Sequence, residues 1–171
     1  SRSAVLLGPL LLVFGGAAAV GAFTGGEDGL AAVTARCMAV STALAWAFLG
    51  IGLWISTIAK TAERAIVYAL LVWVTATALH DFALVGLLLN VRIPPRIVFA
   101  LAALNPSEAA RIGILTGVDA ELSVLGPVGF WIANALGATK ALLVAVLWPA
   151  ALGTAGVLLA ARNVRRGDAI G

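Results

Sequence analysis

Polar positions along this chain are sparse and clustered, and the runs between them are long enough to cross a bilayer. A helix spanning about 30 Å of hydrocarbon needs roughly 20 mostly apolar residues. Four segments qualify: Ala4–Phe23, Cys37–Ala59, Ala65–Leu89 and Leu142–Ala161. The first two carry no charge and are followed by "TGGEDG" and "KTAER" (Lys60–Arg64), and the last is closed by "RNVRR". The third differs, because His80 and Asp81 sit inside it. The predicted fold is all-α: a polytopic membrane helical bundle, one domain over residues 1–171.

Residues 93–139 have another texture. "NVRIPPR" breaks the chain with two prolines, and "IVFALAAL" is apolar but too short to cross and return. "NPSEAARIGIL" then reads as a helix start: Asn105 suits the N-cap, Pro106 the first helical position, and Glu108 follows three after the cap. Glu108 and Arg111, one turn apart, can pair. "LSVLGPVGFWIANALGATK" is interrupted by Gly126-Pro127. The expectation is a set of broken, re-entrant or interfacial helices on one side, since irregular backbone at membrane depth needs protein or a cavity to satisfy it.

Composition agrees. The 171 residues are 62% hydrophobic and 11% charged, with mean hydropathy +1.08, against about a quarter charged in soluble domains. A globule of this length cannot hide so much apolar surface. The net charge of +3 comes from basic residues scattered between spans, which argues for loop charge and against nucleic acid as a partner. With alternating spans, Arg2, Lys60, Arg64, Arg162, Arg165 and Arg166 share one side with Glu63 and Asp168. Arg36, Arg92, Arg96, Arg111 and Lys140 share the other with five acidic residues. The first set lies in short loops and ends, where the positive-inside rule applies best, so Lys60–Arg64 and the C-terminal tail are expected in the cytosol. Ser1 is not an initiator methionine and no signal-peptide charge precedes the first run, so the start reads as a cut edge.

Candidate chemistry is thin. The chain has neither a P-loop, a G-x-S-x-G elbow nor an H-E-x-x-H helix, so a nucleotide-binding or soluble-enzyme reading finds no motif. One His and one Cys cannot build a protein-only zinc or copper cage. Cys37-Met38 reads as packing, because adjacent helical positions diverge by about 100°. The same divergence keeps His80 and Asp81 from facing one partner. Asp81 lies four residues past the middle of its expected span, about 6 Å outward. It either faces a neighbouring helix or a wet cavity, or anchors the span at the interface. An intramembrane acid costs several kcal/mol unless paired or protonated, which makes it a functional candidate. Small-residue spacings such as "GAFTG", Gly50 with Gly52, and "GILTG" permit close helix approach. Of the five tryptophans, Trp131 falls where an interfacial ring is expected, whereas Trp46, Trp54 and Trp73 lie within spans.

Taken in order, the uncharged span, "KTAERAIVYALLVW", the Asp81 span running into "LVGLLL", "ALNPSEAARIGIL", and a last span with an Arg-rich tail resemble the C-terminal part of an ABC-2 type permease. Within that group the chain is most similar to the copper-processing permeases of nitrous-oxide-reductase maturation, the NosY-like branch. The matched positions are Lys60, Glu63 and Arg64, then Asp81, then Leu104, Asn105, Pro106 and Arg111. The resemblance implies spans three to six of a six-span inner-membrane protein. It implies a homodimer paired with a separate ABC ATPase subunit, which binds the ATP, so that no cofactor belongs to this chain. It also implies service to a periplasmic copper enzyme, with a periplasmic accessory protein as a further partner. On that reading Asp81 and His80 line the substrate pathway or pack helices. Asn105, Pro106, Glu108 and Arg111 shape an outer gate helix, and Lys60, Glu63 and Arg64 form a cytosolic loop near the ATPase. Three rivals stand beside it: an ion-coupled secondary transporter or channel using Asp81, lowered by the lack of a visible inverted repeat; an integral-membrane enzyme, lowered because one His, one Cys and one intramembrane acid supply few catalytic groups; and a membrane assembly subunit that transports nothing.

Overall fold

A computed structural model describes residues 28–90, 93–118 and 126–168, and all the secondary structure among them is helical. The expected first span, Ala4–Phe23, lies outside the described residues. In chain order the helices are α1 (Asp28–Ile58), α2 (Ala62–Val74), a π-helical turn (Thr75–Leu79), α3 (His80–Asn90), α4 (Pro95–Leu104), α5 (Pro106–Val118) and α6 (Gly126–Trp131). A second π-helical turn (Ile132–Leu136) leads to α7 (Ala138–Asp168). Three stretches are long and apolar enough to cross a membrane: Ala32–Ile58, Ala62–Gly86 and Ala138–Arg166. A fourth is reached only if α4 and α5, bent by 118° about Asn105, count as one.

Three expectations need correction. The second span starts nine residues earlier than Cys37, at Asp28, so Arg36 is a helical residue and not a loop charge. Its neighbours Ala31–Cys37 contain nothing that breaks a helix, and a lone Arg was a poor boundary marker. The third span starts at Ala62 because Thr61, in extended backbone, accepts a hydrogen bond from the Arg64 amide at 3.3 Å and caps it. Glu63 and Arg64 therefore belong to the first helical turn, where Glu63 complements the helix dipole, and the loop shrinks to residues 59–61. The earlier start also leaves Asp81 seven residues past the middle of Ala62–Gly86, nearer that stretch's end than expected. The last span extends to Ala138–Asp168 with Pro149 inside it.

The core is built on α1 and α7. Trp46 Nε1 donates to Thr154 Oγ1 at 3.2 Å, Gly50 meets Gly153 and Gly156, and Asn163 Nδ2 donates to Thr57 Oγ1 at 3.1 Å. Contacts advance together along both helices, so the two run parallel. Glycine permits this approach: a Cβ on Gly156 would lie 2.5 Å from the Gly50 backbone. α5 lies against both and runs the opposite way. Its first turns adjoin Trp148, whose Nε1 donates to Leu104 O at 3.2 Å, and Gly113 meets Ala145 and Val40. Its last turn meets Arg36 through Thr116 and Gly117. A second cluster joins Phe99, Ala102, Ile112, Ile132 and Ala141, and the Phe99 and Trp131 rings are 5.7 Å apart. The Ala62–Gly86 stretch contributes no buried residue, and its Ile66, Leu70, Leu71, Trp73 and Phe82 are exposed. Apolar side chains turned outward are what lipid or another membrane segment covers.

Candidate functional site

Asn105 fixes the geometry around which the site forms. Its backbone is extended, ending α4, and its Oδ1 accepts from the Ser107 amide at 3.0 Å while its carbonyl accepts from the Ala109 amide at 2.9 Å. It is the N-cap of α5, as the sequence suggests, with Pro106 at the first helical position. Its remaining amide group donates to the Ala76 carbonyl. Ala76 lies inside the π-helical turn, where the wider winding shifts the backbone bonding pattern. Asn105 is only 5% exposed, so both ends of its side chain are satisfied without water. One residue thereby caps α5 and ties it to the span that carries Asp81.

One turn into α5, Arg111 Nη1 donates to Glu108 Oε1 at 3.3 Å, the expected pair. The pair is lopsided: the Glu108 side chain is 13% exposed and that of Arg111 is 55% exposed. Asp81 comes from α3 to the same place. Asp81, Glu108 and Arg111 line a cavity of about 230 Å³ whose walls are apolar, among them Leu84, Val98, Ile112 and Val128. Two carboxylates therefore line one cavity with the guanidinium that pairs with Glu108, and both Asp81 and His80 lie within electrostatic range of Glu108. The expectation that adjacent positions keep His80 and Asp81 from one partner does not hold electrostatically, since both act on Glu108, and the His80 Nε2 is buried without a hydrogen-bond partner among the described residues. That cavity has room for a few waters or a small ion, and its lining gives it a negative bias. Among the described residues no three His, Cys, Asp or Glu side chains converge as a metal-binding group.

Lys60, Glu63 and Arg64 are exposed and far along the chain direction from this cavity, beside the end where Thr57 meets Asn163. Thus Asp81, His80, Asn105, Pro106, Glu108 and Arg111 gather in one region, and the basic loop stands apart. Two features escaped the sequence reading. The Asn105–Ala76 bond has no local signal, since its two partners lie 29 residues apart in sequence. Arg36 donates through Nη1 to Thr116 Oγ1 at 2.9 Å and Gly113 O at 3.4 Å; its place immediately before the clean apolar run from Cys37 disguised it as a boundary. Protein-family models, curated proteins and solved structures give no match to this chain.

Proposed function

We propose that the chain is the membrane-embedded permease subunit of a transport system in a cell's inner membrane, built as an ABC-2 type permease whose ATP is hydrolysed by a separate subunit. The observation that carries the reading is the cavity where Asp81, Glu108 and Arg111 meet. Charged groups inside a lipid-exposed bundle are expensive and tend to mark a solute path. The ABC-2 assignment, a homodimer and service to copper-enzyme maturation rest on the resemblance of the quoted motifs and go with this proposal.

Span parity supports the architecture. α1 and α7 run parallel, so the segment joining them must cross an odd number of times. Ala62–Gly86 supplies that crossing, and α4–Asn105–α5 then enters and leaves on the same side. This agrees with α5 running from the middle of α7, at Trp148, back towards Arg36. The cavity thus sits where a re-entrant pair meets a spanning helix, which suits a gate. An ion-coupled carrier or channel would use the same two carboxylates, so energy source is the deciding measurement. Tagged chain extracted in mild detergent should bring down an ATP-binding subunit, and reconstituted vesicles should transport only with ATP. Flux driven by an ion gradient, with no ATP-binding partner, would sink the ABC-2 reading. Asp81→Asn and Asp81→Leu should each lower transport-dependent maturation about tenfold, ~1.4 kcal/mol in barrier terms, with membrane insertion unchanged. Wild-type function in both variants would remove Asp81 from the path.

A further inference from the structure

Beyond that reading, and independent of it, lies the surroundings of Arg36. This residue sits on α1 four positions into the Ala32–Ile58 stretch that can cross a membrane. Its guanidinium meets neutral acceptors, Thr116 Oγ1 at 2.9 Å and Gly113 O at 3.4 Å. Thr116 is 6% exposed and its hydroxyl donates a hydrogen bond to Gly113 O at 2.9 Å, so its oxygen is oriented to accept from the arginine. Gly117 holds the stem in place: a Cβ there would fall 2.5 Å from Arg36 Cδ and 2.9 Å from Nε. The ion pair formed among the described residues joins Arg111 to Glu108 and leaves Arg36 out. Beside the guanidinium opens a cavity of about 560 Å³, floored by Ala32, Ala35 and Ala39 and walled by Leu142.

These features combine a held cation, N–H donors with no further hydrogen-bond partner among the described residues, and a mostly apolar cavity wall. A guanidinium offers five donors in a planar fork that matches a phosphate-type oxyanion, and a cation at the edge of the hydrocarbon calls for a counter-charge. Apart from Arg36 and Thr116, the lining is small or apolar, and Ala32, Ala35 and Ala39 give one wall against which an apolar tail can lie. We propose that Arg36 binds a phosphate-type oxyanion, with the alanine wall receiving an attached apolar tail where the anion is a lipid headgroup.

The test uses the full chain purified in mild detergent. By native mass spectrometry, the wild type should retain phosphatidylglycerol at least tenfold more strongly than phosphatidylcholine. Arg36→Gln should lose that preference, while Arg36→Lys, which keeps the charge and loses the fork, should fall between. Inorganic phosphate, added to lipid-stripped protein, separates the sources. If it raises the unfolding temperature of the wild type but not of Arg36→Gln and no lipid is retained, a small soluble anion is assigned; retained lipid assigns the headgroup. Equal retention of both lipids together with no response to phosphate would overturn the proposal, and that comparison needs no variant to fold. So would a phosphatidylglycerol preference that appears only in Asp119→Asn or Glu121→Gln. Those acids follow Gly117 in the sequence, and the result would show that the chain supplies its own counter-charge.

Discussion

Asn105 does two jobs with one amide. As N-cap it satisfies an orphan N–H at the start of α5, and through Ala76 it fixes that start against the neighbouring span. Replacement by Ala removes both. The cap alone is worth about 1 kcal/mol, and loss of the buried bond to Ala76 adds about 1 kcal/mol more. Asn105→Ala should therefore speed hydrogen exchange at residues 107–110, whereas Asn105→Asp, which keeps the cap acceptor and loses the donor, should spare the cap and loosen only the link. Unchanged exchange in the Ala variant would mean that packing alone holds the break. The cap was legible because Asn-Pro with an acid three positions after the Asn is a local signature. The second bond was not, since its partner lies 29 residues away in sequence.

At the scale of elements, α1 and α7 form a pair through glycine. Gly50 was visible as a small residue in a run, but its partners Gly153 and Gly156 were not singled out, because in a glycine-rich chain only the structure tells which ones face a neighbour. Gly52 has open space beside it. The contrast gives a prediction. Gly50→Leu should force the two backbones apart and lower the thermal unfolding temperature in detergent, with a cost of about 1–3 kcal/mol or more from overpacking. Gly52→Leu should leave it nearly unchanged. Equal effects would show that the helices do not pack along this edge. The limits of the spans followed the same logic: length and apolarity placed the three described ones, while their ends were misjudged by up to nine residues wherever a charge was taken as a boundary. Glu108 and Arg111 were paired correctly from their spacing; that Asp81 joins them depended on the bend at Asn105, which no periodicity encodes.

For the whole molecule, the parallel pair sets the distribution of charge. Arg162, Arg165 and Arg166 lie in the last turns of α7, where Asn163 meets Thr57, and Thr57 is close in sequence to Lys60 and Arg64. Arg36 and Arg111, formerly counted as loop charges on the opposite side, lie within helices. Arg64, Arg162, Arg165 and Arg166 are helical too, so helix membership does not separate the two sets, and the cytosolic placement stays an expectation for labelling to test. In a Cys37→Ser background, single cysteines at Lys60 and Arg166 should be labelled by a membrane-impermeant maleimide only after the membrane is opened. A cysteine at Lys140 should be labelled in intact cells. Labelling of positions 60 and 140 from the same side would contradict the parallel arrangement of α1 and α7.

The π-helical turn at Thr75–Leu79 carries one residue more than a regular winding would need. Relative to an ordinary helix it behaves as an insertion already accommodated. Deleting one residue within that turn should let the backbone rewind to 3.6 per turn and keep both flanks in their present orientation. The same deletion elsewhere in Ala62–Val74 would swivel the upstream half by about 100° against Asp81. Tolerance to shortening should thus be confined to five positions of this span, as a deletion scan read by membrane expression and activity would reveal.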